Sequence, residues 1–255
     1  MTDGVTLTLV GGPTLLIEVA GFRLLTDPTF DPPGEYPLPH VTLRKTSPPA
    51  VSVPDIGAVD AVLLSHDQHA DNLDTAGRAF VRDAPRVFTT VAGAARLGGH
   101  CEGMAPWTDA AMTKAGQRLV ITATPARHGP AGIEPLAGDV IGFILRWNDE
   151  GGIYVTGDTV WFEGTAEVAR RFAPRLAVIF AGAAKTRGAF HLTMDTNDAL
   201  EVAHAFPAAT IVPVHYGGWA HFSESRNDLE DAFQALGVRL RLLVLEPGVA
   251  TEVRS

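Results

Sequence analysis

The amino-acid sequence predicts an α/β protein in which two β-sheets pack against each other and helices cover their outer faces. Three observations support this fold class. The first half of the chain is rich in strands, the second half alternates strand and helix, and the approximate duplication of a β-then-α layout suits a two-sheet core. No linker-like segment interrupts the 255 residues, of which 46% are hydrophobic, so we expect a single domain over residues 1–255.

The first three predicted strands form an antiparallel meander. Apolar runs at residues 5–10, 14–19 and 22–26 are separated by short glycine-containing turns. The next segment, residues 31–54, is rich in proline and has no usable periodicity. Loops of this length are often lids or binding loops, and a rigid surface excursion is the alternative. The sequence leaves both interpretations open.

The rest of the chain alternates apolar strands with helices. Short runs rich in Val, Ile and Leu predict the strands, and apolar residues at helical spacing predict the helices. The predicted strands are residues 61–64, 86–90, 118–124, 140–147, 152–156, 176–181, 211–214 and 240–245. The predicted helices are residues 73–81, 91–97, 165–172, 196–205 and 226–236.

Composition excludes several classes of protein. The formal net charge of −9 disfavours nonspecific binding to nucleic acid. A single cysteine, Cys101, rules out an intrachain disulfide and a cysteine-rich zinc module. The start Met1-Thr2-Asp3-Gly4 lacks the basic and apolar regions of a secretory signal, and no apolar run approaches the ~20 residues of a membrane span. We therefore expect a soluble cytoplasmic protein without membrane or nucleic-acid partners.

Four apolar strands end in side chains that bind metals. Because strand ends collect at one rim of a sheet, we expect these side chains to lie together. Imidazole and carboxylate groups are ligands for a cation such as zinc. The four segments are Leu63-Leu64-Ser65-His66-Asp67-Gln68-His69-Ala70-Asp71-Asn72, Pro125-Ala126-Arg127-His128-Gly129, Thr156-Gly157-Asp158-Thr159 and Pro213-Val214-His215-Tyr216-Gly217.

Taken in order, these segments resemble the metallo-β-lactamase superfamily of metal-dependent hydrolases. The similarity is greater to its lactonase and phosphodiesterase branch, which includes the L-ascorbate-6-phosphate lactonases and the N-acyl-phosphatidylethanolamine phospholipase D group. Gly11-Gly12-Pro13-Thr14 and Leu25-Thr26-Asp27-Pro28 extend the similarity over nearly the whole chain. The resemblance implies a four-layer αββα sandwich with a metal site at the shared edge of the two sheets.

The signature of this superfamily is His-x-His-x-Asp-His, followed later by a His, a bridging Asp and a last His. The leading His has two candidates here. Asp67 takes its place without a gap, and His66 takes it with one inserted residue. We prefer His66, because it follows Ser65 at the strand end and a one-residue bulge there costs little. Asn72 replaces the final His of the motif, and its amide suits manganese or magnesium better than zinc, or leaves that position vacant.

The resemblance implies one or two divalent cations, Zn²⁺ or Mn²⁺. The first cation would bind His66, His69, His128 and Asp158, and the second would bind Asp71, Asp158 and His215, with Asn72 undecided. Asp71 would act as a proton shuttle and Asp158 as the bridging ligand. His191 lies in a loop that contacts substrate in related proteins, so the catalytic candidates are Asp71, Asp158 and His191.

Other residues near these segments have two interpretations each. Asp27 is expected to brace the metal rim rather than bind the metal. His221 lies either close behind His215 or on the plain surface. Lys185 and Arg187 either bind a phosphate or carboxylate or are solvated.

The sequence thus predicts a metal-dependent hydrolase that cleaves an ester-type bond, a lactone or a phosphodiester, with metal-activated hydroxide. Its substrate would be a small molecule, with anionic molecules among the candidates, and the sequence is compatible with oligomers, which are common among related proteins. The alternative is a degenerate superfamily member that binds metal weakly or not at all and serves as a binding or regulatory protein. The acidic charge disfavours a nuclease.

Overall fold

The computed structural model describes residues 4–147 and 152–253. Residues 1–3, which belong to the segment that predicted no secretory signal, lie outside the described part. The described strands form a seven-stranded sheet, a six-stranded sheet and a two-stranded hairpin. The two large sheets pack face to face with helices on their outer sides, which confirms the predicted α/β sandwich.

The first large sheet comes mainly from the N-terminal half of the chain. It contains β1 (Val5–Gly11), β2 (Thr14–Val19), β3 (Phe22–Thr26), β6 (Ala61–Leu63), β7 (Val87–Thr90), β8 (Cys101–Met104) and β15 (Ala250–Val253). The order across the sheet is β15-β1-β2-β3-β6-β7-β8. β1 to β3 form the predicted antiparallel meander, and β6 to β8 continue the sheet in parallel.

The second large sheet comes from the following part of the chain. It contains β9 (Asp109–Lys114), β10 (Gln117–Pro125), β11 (Ile141–Arg146), β12 (Ile153–Val155), β13 (Leu176–Phe180) and β14 (Thr210–Val214). The strands follow one another across the sheet in the order β14-β13-β12-β11-β10-β9. β12, β13 and β14 are parallel, and the others are antiparallel to their neighbours.

The main hydrophobic core fills the space between the two sheets. Both sheets contribute alternate side chains to it, as the two-residue period of a strand requires. Fully buried members from both sheets include Leu7, Ile17, Leu24, Phe88, Ile121, Phe143, Val155 and Phe180. Because this core packs the two sheets tightly against each other, their edges have fixed relative positions.

Helices cover the outer faces of the sheets. They are α1 (Val53–Ile56), α2 (Thr75–Asp83), α3 (Val91–Leu97), α5 (Glu163–Arg171), α6 (Thr196–Ala205) and α7 (Arg226–Ala235), whereas the short α4 (Glu134–Ala137) packs against Ala184 and Leu192. Ile56 and Val81 pack on the first sheet, and Val168, Val202 and Phe233 pack on the second. The longest helices in the described part of the chain have ten residues, and none has the length and hydrophobicity to cross a membrane.

The predicted strand at residues 240–245 is wrong. The chain forms a 3₁₀ turn at Arg239–Arg241 there, and the last strand is β15 at the edge of the first sheet. The Arg241 guanidinium donates to the carbonyl oxygens of Ala203, Phe206 and Ala209, which fixes the segment against the end of α6. The apolar residues that suggested a strand therefore pack beside β14 without extended pairing.

The proline-rich segment contains more regular structure than predicted. Residues 31–54 include the hairpin of β4 (Gly34–Pro37) and β5 (Thr42–Lys45), and α1 follows with Ser52 as its N-cap. A buried ion pair between Lys45 Nζ and Asp74 Oδ2 (2.9 Å) fastens the hairpin to the start of α2. The segment is therefore a structured excursion, and its hairpin also forms one wall of the candidate site.

Candidate metal centre

The candidate site lies at one edge of the two sheets, where several strands end. β3 and β6 are parallel, as are β12 to β14, so their carboxyl ends reach a common edge. β10 has the same direction as β12, because both pair antiparallel with β11. The predicted ligands follow these ends: His66 follows β6, His128 follows β10, Asp158 follows β12 and His215 follows β14.

Two unusual backbone conformations turn side chains into this edge. Gly157 has a φ of +63°, and a Cβ atom there would lie 2.6 Å from the Ile141 carbonyl oxygen, so the turn before Asp158 requires glycine. His215 has a φ of +55°. Non-glycine residues adopt this conformation at a cost of about 1–3 kcal/mol, typically at functional sites. The His215 N–H donates to the Gly12 carbonyl oxygen (2.9 Å) and so helps to hold the turn.

The first half of the site is the three-imidazole pocket, formed by His66, His69, His128 and Asp158. His69 Nδ1 lies 2.9 Å from His66 Nε2 and 3.1 Å from His128 Nε2. Asp158 Oδ2 lies 3.5 Å from His128 Nε2 and 3.9 Å from His66 Nε2. Each residue places one potential ligand atom within 4.8 Å of the others, which is the arrangement that a single cation requires.

Hydrogen bonds on the far sides of two rings fix their tautomers. The Ser65 hydroxyl donates to Asp27 Oδ1 (2.7 Å), so it accepts from His66 Nδ1 (2.9 Å). His128 Nδ1 donates to the Leu192 carbonyl oxygen (2.8 Å). Both Nε2 atoms therefore direct a lone pair into the pocket, as metal-ligating imidazoles do when a second group holds the other nitrogen.

The second half of the site is the carboxylate pocket, formed by Asp71, Asp158 and His215. His215 Nε2 lies 3.6 Å from Asp71 Oδ2 and 3.4 Å from Asp158 Oδ1. His221 Nε2 lies 2.9 Å from Asp71 Oδ2 and so hydrogen-bonds to this pocket from outside. Asp158 joins the two pockets, because one of its oxygens faces each of them.

The pKa values of the side chains follow from burial and from their neighbours. Burial, and then the charge of His128, lowers the pKa of His69 to about 4. Burial also opposes a charge on His215, but Asp158 and Asp71 outweigh it and raise its pKa to about 10. Burial likewise opposes ionisation of Asp158, and the charges of His215 and His128 reverse this and lower its pKa.

Buried polar atoms without partners show that the residues present fit a cation. Among residues 4–147 and 152–253, both carboxylate oxygens of Asp158, Nε2 of His215 and both amide atoms of Asn72 lack a hydrogen-bond partner. Such atoms are uncommon in folded proteins and need an explanation. His69 Nδ1 also faces two lone pairs and can donate to only one. Neutral imidazoles and carboxylates suit Zn²⁺ or Mn²⁺, so both pockets fit divalent cations.

The structure brings six of the predicted ligands together and separates the two candidates for the first position. The six are His66, His69, Asp71, His128, Asp158 and His215. His66 lies in the three-imidazole pocket, whereas Asp67 turns away and binds Arg96 (Oδ2 to Nε, 2.9 Å). Asn72 is fully buried beside Asp71 in sequence. The altered motif therefore retains an imidazole at its start and a buried amide at its end.

His191, predicted to be catalytic, lies in a separate group. Its Nε2 is 3.3 Å from Asp198 Oδ2 and its Nδ1 is 3.4 Å from Asp195 Oδ2, at the start of α6. The hydrogen bond to Asp198 is the largest of the effects that raise the pKa of His191. Its link to the three-imidazole pocket is indirect, through the carbonyl of the adjacent Leu192 that holds His128.

Sequence reasoning missed several residues that hold the site. Ser65 was read only as part of the strand end, although the Ser-His pair was visible there. His221 was left undecided, and the structure places it against Asp71. The Leu192 carbonyl left no signal in the sequence, because any residue supplies a carbonyl. Asp27 braces His66 through Ser65, which is the bracing position that the sequence suggested for it.

A narrow opening, which we call the mouth, leads to both pockets. Its free volume is about 20 Å³, which is room for about one water molecule. Its walls are mainly apolar, and part of them comes from the turn and second strand of the β4–β5 hairpin. The residues around it are Leu38, His40, Leu43, Ala184, Leu192 and Arg187. A substrate therefore reaches the site through a small and largely apolar entrance.

Comparison with known proteins identifies similar sequences and structures. The family described as "Beta-lactamase superfamily domain" matches residues 22–216. The UPF0173 protein YddR of Bacillus subtilis is 26% identical over 252 residues, which are 95% of this chain and 97% of that protein. A UPF0173 metal-dependent hydrolase of Methanopyrus kandleri is 23% identical over 254 residues, which are 96% of this chain and 99% of that protein.

A solved structure gives a similarly complete match. The isothiocyanate hydrolase from Delia radicum gut bacteria superposes with a TM-score of 0.84 and is 26% identical in sequence. The match covers 98% of this chain and all of that chain (100%). The similarity therefore extends over nearly the whole chain.

Proposed function

We propose that this chain, which belongs to the beta-lactamase superfamily and is a metal-dependent hydrolase, cleaves an ester-type bond and opens a small lactone in preference to cleaving a phosphodiester. One observation carries the proposal. Imidazoles and carboxylates from four strand ends converge into two groups whose potential ligand atoms lie within 4.8 Å of one another, and the lone pairs of His66 and His128 are already directed inward. Such a preorganised set of donors suits a metal-dependent hydrolase.

The residues of the two pockets have separate tasks in this proposal. His66, His69, His128 and Asp158 would hold the first cation, and Asp71, Asp158 and His215 would hold the second. A bound Zn²⁺ or Mn²⁺ would acidify water and polarise the bond under attack. The structure favours His66 over Asp67 for the first position, because Asp67 is engaged by Arg96.

Asp71 is the residue best placed to move a proton. It lines the mouth, and its Oδ2 accepts a hydrogen bond from His221 Nε2. Burial opposes its ionisation, but the nearby His215 and the hydrogen bond from His221 hold its pKa well below the usual value. Asp71 is therefore ionised and lies beside the position of the scissile bond. It can accept a proton there and then donate it to the leaving oxygen. We assign His191 no part in the reaction, because its ring nitrogens pair with Asp195 and Asp198.

The mouth favours a lactone over a phosphodiester. Its free volume admits a group of about the size of one water, and its walls include Leu38, Leu43 and Leu192. A neutral carbonyl group meets these leucine walls at a lower desolvation cost than a charged phosphodiester, and the guanidinium that lines the opening, that of Arg187, is left for a charged group elsewhere on the substrate. The chain therefore suits a small, neutral reacting group.

An isothiocyanate is the second candidate substrate. The observation that favours it is the complete superposition on the isothiocyanate hydrolase, together with the narrow mouth. The –N=C=S group is small, linear and uncharged, and water attacks its central carbon. The same pockets would serve both reactions, so activity measurements must separate them.

A substrate panel on a protein of known metal content tests the proposal. The protein is purified without chelators, its metals are counted by mass spectrometry, and kcat/KM is measured for a phenyl-substituted γ-lactone, bis(4-nitrophenyl) phosphate and benzyl isothiocyanate. We expect the lactone to react fastest, and chelation to abolish the reaction until Zn²⁺ or Mn²⁺ is restored. Faster turnover of the isothiocyanate would replace the lactone with the second candidate.

The same experiment tests the interpretation as a binding or regulatory protein. The enzyme interpretation requires at least one tightly held cation per chain. Less than one cation, together with no activity after addition of manganese or zinc, would favour a protein that kept the fold and lost the chemistry. His69→Ala is the matched inactive control, because it removes the nitrogen shared by His66 and His128.

A further inference from the structure

Arg187 lies between the mouth and a second, larger cavity. This cavity, which we call the outer groove, has a volume of about 620 Å³ and is walled by Ile133, Leu136 and Phe190. It shares Arg187 and His40 with the mouth, so the two spaces adjoin at these side chains. A molecule that reaches the metal pockets through the outer groove therefore passes the Arg187 guanidinium.

Arg187 has an unbalanced positive charge. Among residues 4–147 and 152–253, no carboxylate oxygen lies within ion-pair distance of its guanidinium, and its hydrogen bond goes to the Leu136 carbonyl oxygen (Nη2 to O, 3.0 Å). Arg96 and Arg226, by comparison, each bind a carboxylate directly. Arg187 is also the one side chain with a permanent positive charge among the described residues that line the mouth. Its remaining N–H groups are available to an anion.

The charge of Arg187 reaches the exposed end of the mouth. Slight burial and the Arg187 charge lower the pKa of His40, which lines both the mouth and the outer groove. The two spaces therefore meet at a positively charged side chain.

The volumes of the mouth and the outer groove determine which part of a substrate each of them can hold. The mouth has room for the reacting group only, so the remainder of the molecule lies in the outer groove. There it meets apolar surface, because the Leu136 side chain is 60% exposed and Phe190 is 38% exposed. A group close to the reacting bond would lie next to Arg187.

We propose that Arg187 binds a carboxylate of the substrate and thereby selects ester-type molecules that carry this carboxylate between the scissile bond and an apolar group in the outer groove. The planar guanidinium matches a carboxylate in shape and charge. Because Arg187 supplies only one positive charge and the ionised Asp71 is nearby, this position suits a monoanion better than a phosphate dianion. This inference rests on the proposed hydrolysis of an ester-type bond.

Two substrates that differ in one charge test this selection. They are a phenyl-substituted γ-lactone with a carboxylate and the same lactone with a carboxamide. In Arg187→Gln we expect the KM of the carboxylate lactone to rise about 10- to 100-fold, the range expected for a lost hydrogen bond to a charged group. The carboxamide lactone should change less than about threefold, since it lacks the charge.

Two further variants serve as controls. Lys185→Gln also removes one positive charge, but Lys185 lies two residues before Arg187 and does not line the mouth or the outer groove. This variant should leave both KM values unchanged. Arg187→Lys keeps the charge without the planar fork and should fall between wild type and Arg187→Gln. Equal losses for both lactones, or no loss for the carboxylate lactone, would overturn the proposal.

A binding measurement separates this inference from the proposed function. The probe is the γ-lactam analogue of the carboxylate lactone, and its affinity for the metal-loaded protein is measured by calorimetry. Lactam binding that is lost in Arg187→Gln, without hydrolysis of either lactone, supports the carboxylate site and contradicts only the function. If the lactone is hydrolysed but the lactam binds wild type and Arg187→Gln with equal affinity, only the carboxylate site is overturned. Tighter binding of the phosphonate analogue would overturn the choice of a carboxylate.

Discussion

The three-imidazole pocket and the carboxylate pocket share Asp158 but differ in how they hold protons. In the three-imidazole pocket, burial and mutual repulsion keep His66 and His69 neutral, and their pKa values lie below the usual value. In the carboxylate pocket, Asp71 and Asp158 stabilise the charged form of His215 and raise its pKa to about 10. A cation entering the first pocket finds free lone pairs, whereas a cation entering the second must displace a proton.

This difference ranks the two pockets. The three-imidazole pocket has its four ligands and a hydrogen bond behind two of the rings, so we expect it to fill first. The carboxylate pocket has three ligands, and the altered motif places the amide of Asn72 where the resembled signature has an imidazole. We therefore expect the second cation to bind more weakly, and the predictions below test this ranking.

The largest effect is expected from Asp158→Ala. Because Asp158 is the one residue with an oxygen in each pocket, its removal should abolish metal retention at both. Metal content after chelator-free purification measures the effect. Asp198→Ala is the control, since Asp198 belongs to the separate group around His191. Unchanged metal content in Asp158→Ala, or a loss confined to Asp198→Ala, would contradict the assigned centre.

The next effect separates the pockets from each other. His69→Ala should remove the tight cation, because His69 Nδ1 contacts both His66 and His128. His215→Ala should leave the tight cation in place and remove the weak one. Titration with Zn²⁺ against a competing chelator resolves the two affinities. If both variants lose the same affinity, the two pockets are not independent and the ranking is wrong.

A smaller effect is expected from Ser65→Ala. This change removes the group that accepts from His66 Nδ1 and so frees the ring to adopt the other tautomer. Partners of this kind typically contribute about 10- to 100-fold in metal affinity. Only the tight affinity should fall. Thr122→Ala, which removes a buried hydroxyl that donates to Asp109, should leave both affinities unchanged.

The sequence predicted the donors of these pockets better than their supports. Each of the six candidate ligands follows an apolar strand, and a strand end followed by His or Asp is visible in sequence. The support of His128 comes from the Leu192 carbonyl, 64 residues away, and a backbone group has no sequence signal. His221 reaches Asp71 across 150 residues, a contact that depends on the packing of both sheets.

The fold shows the same division between local and distant information. The meander and the five longer helices follow from local apolar patterns and were predicted to within a few residues, whereas the four-residue helices α1 and α4 were not predicted. The segment after residue 238 was wrongly predicted as a strand, because its apolar residues are fixed by the contacts of Arg241 with α6 rather than by strand pairing. The hairpin of β4 and β5 was hidden by prolines, and the Lys45–Asp74 pair that holds it is not readable from spacing.

Asn72→His should produce a modest gain in the carboxylate pocket. It supplies the imidazole that the superfamily signature has at this position. We expect the affinity of the carboxylate pocket for Zn²⁺ to rise about tenfold, which corresponds to about 1.4 kcal/mol. The tight affinity should stay the same. Asn72→Ala is the control for loss of the amide alone. A gain in both variants would show that the amide hinders the second cation, rather than that an imidazole is missing.

The smallest effect is the pH dependence of stability in the cation-free protein. His69 has its pKa lowered to about 4, so the stability it contributes is present above its unfolded pKa of about 6.5 and is lost as the pH falls toward 4. His215 has its pKa raised to about 10, so its contribution is present below about 6.5 and is lost as the pH rises toward 10. Each slope is at most about 1.4 kcal/mol per pH unit.

The two limbs of this profile belong to different pockets, and single variants separate them. We expect the melting temperature of chelated wild-type protein to be highest near pH 6.5 and to fall on both sides. His69→Asn should reduce the slope of the limb between pH 5 and 6.5, where His66 also contributes because its pKa is lowered too, and His215→Asn should flatten the limb between pH 6.5 and 9. Saturation with Zn²⁺ should remove the alkaline limb, because the cation takes the place of the His215 proton. An alkaline limb that persists in His215→Asn would place the retained proton on another residue and would remove the basis for ranking the two pockets.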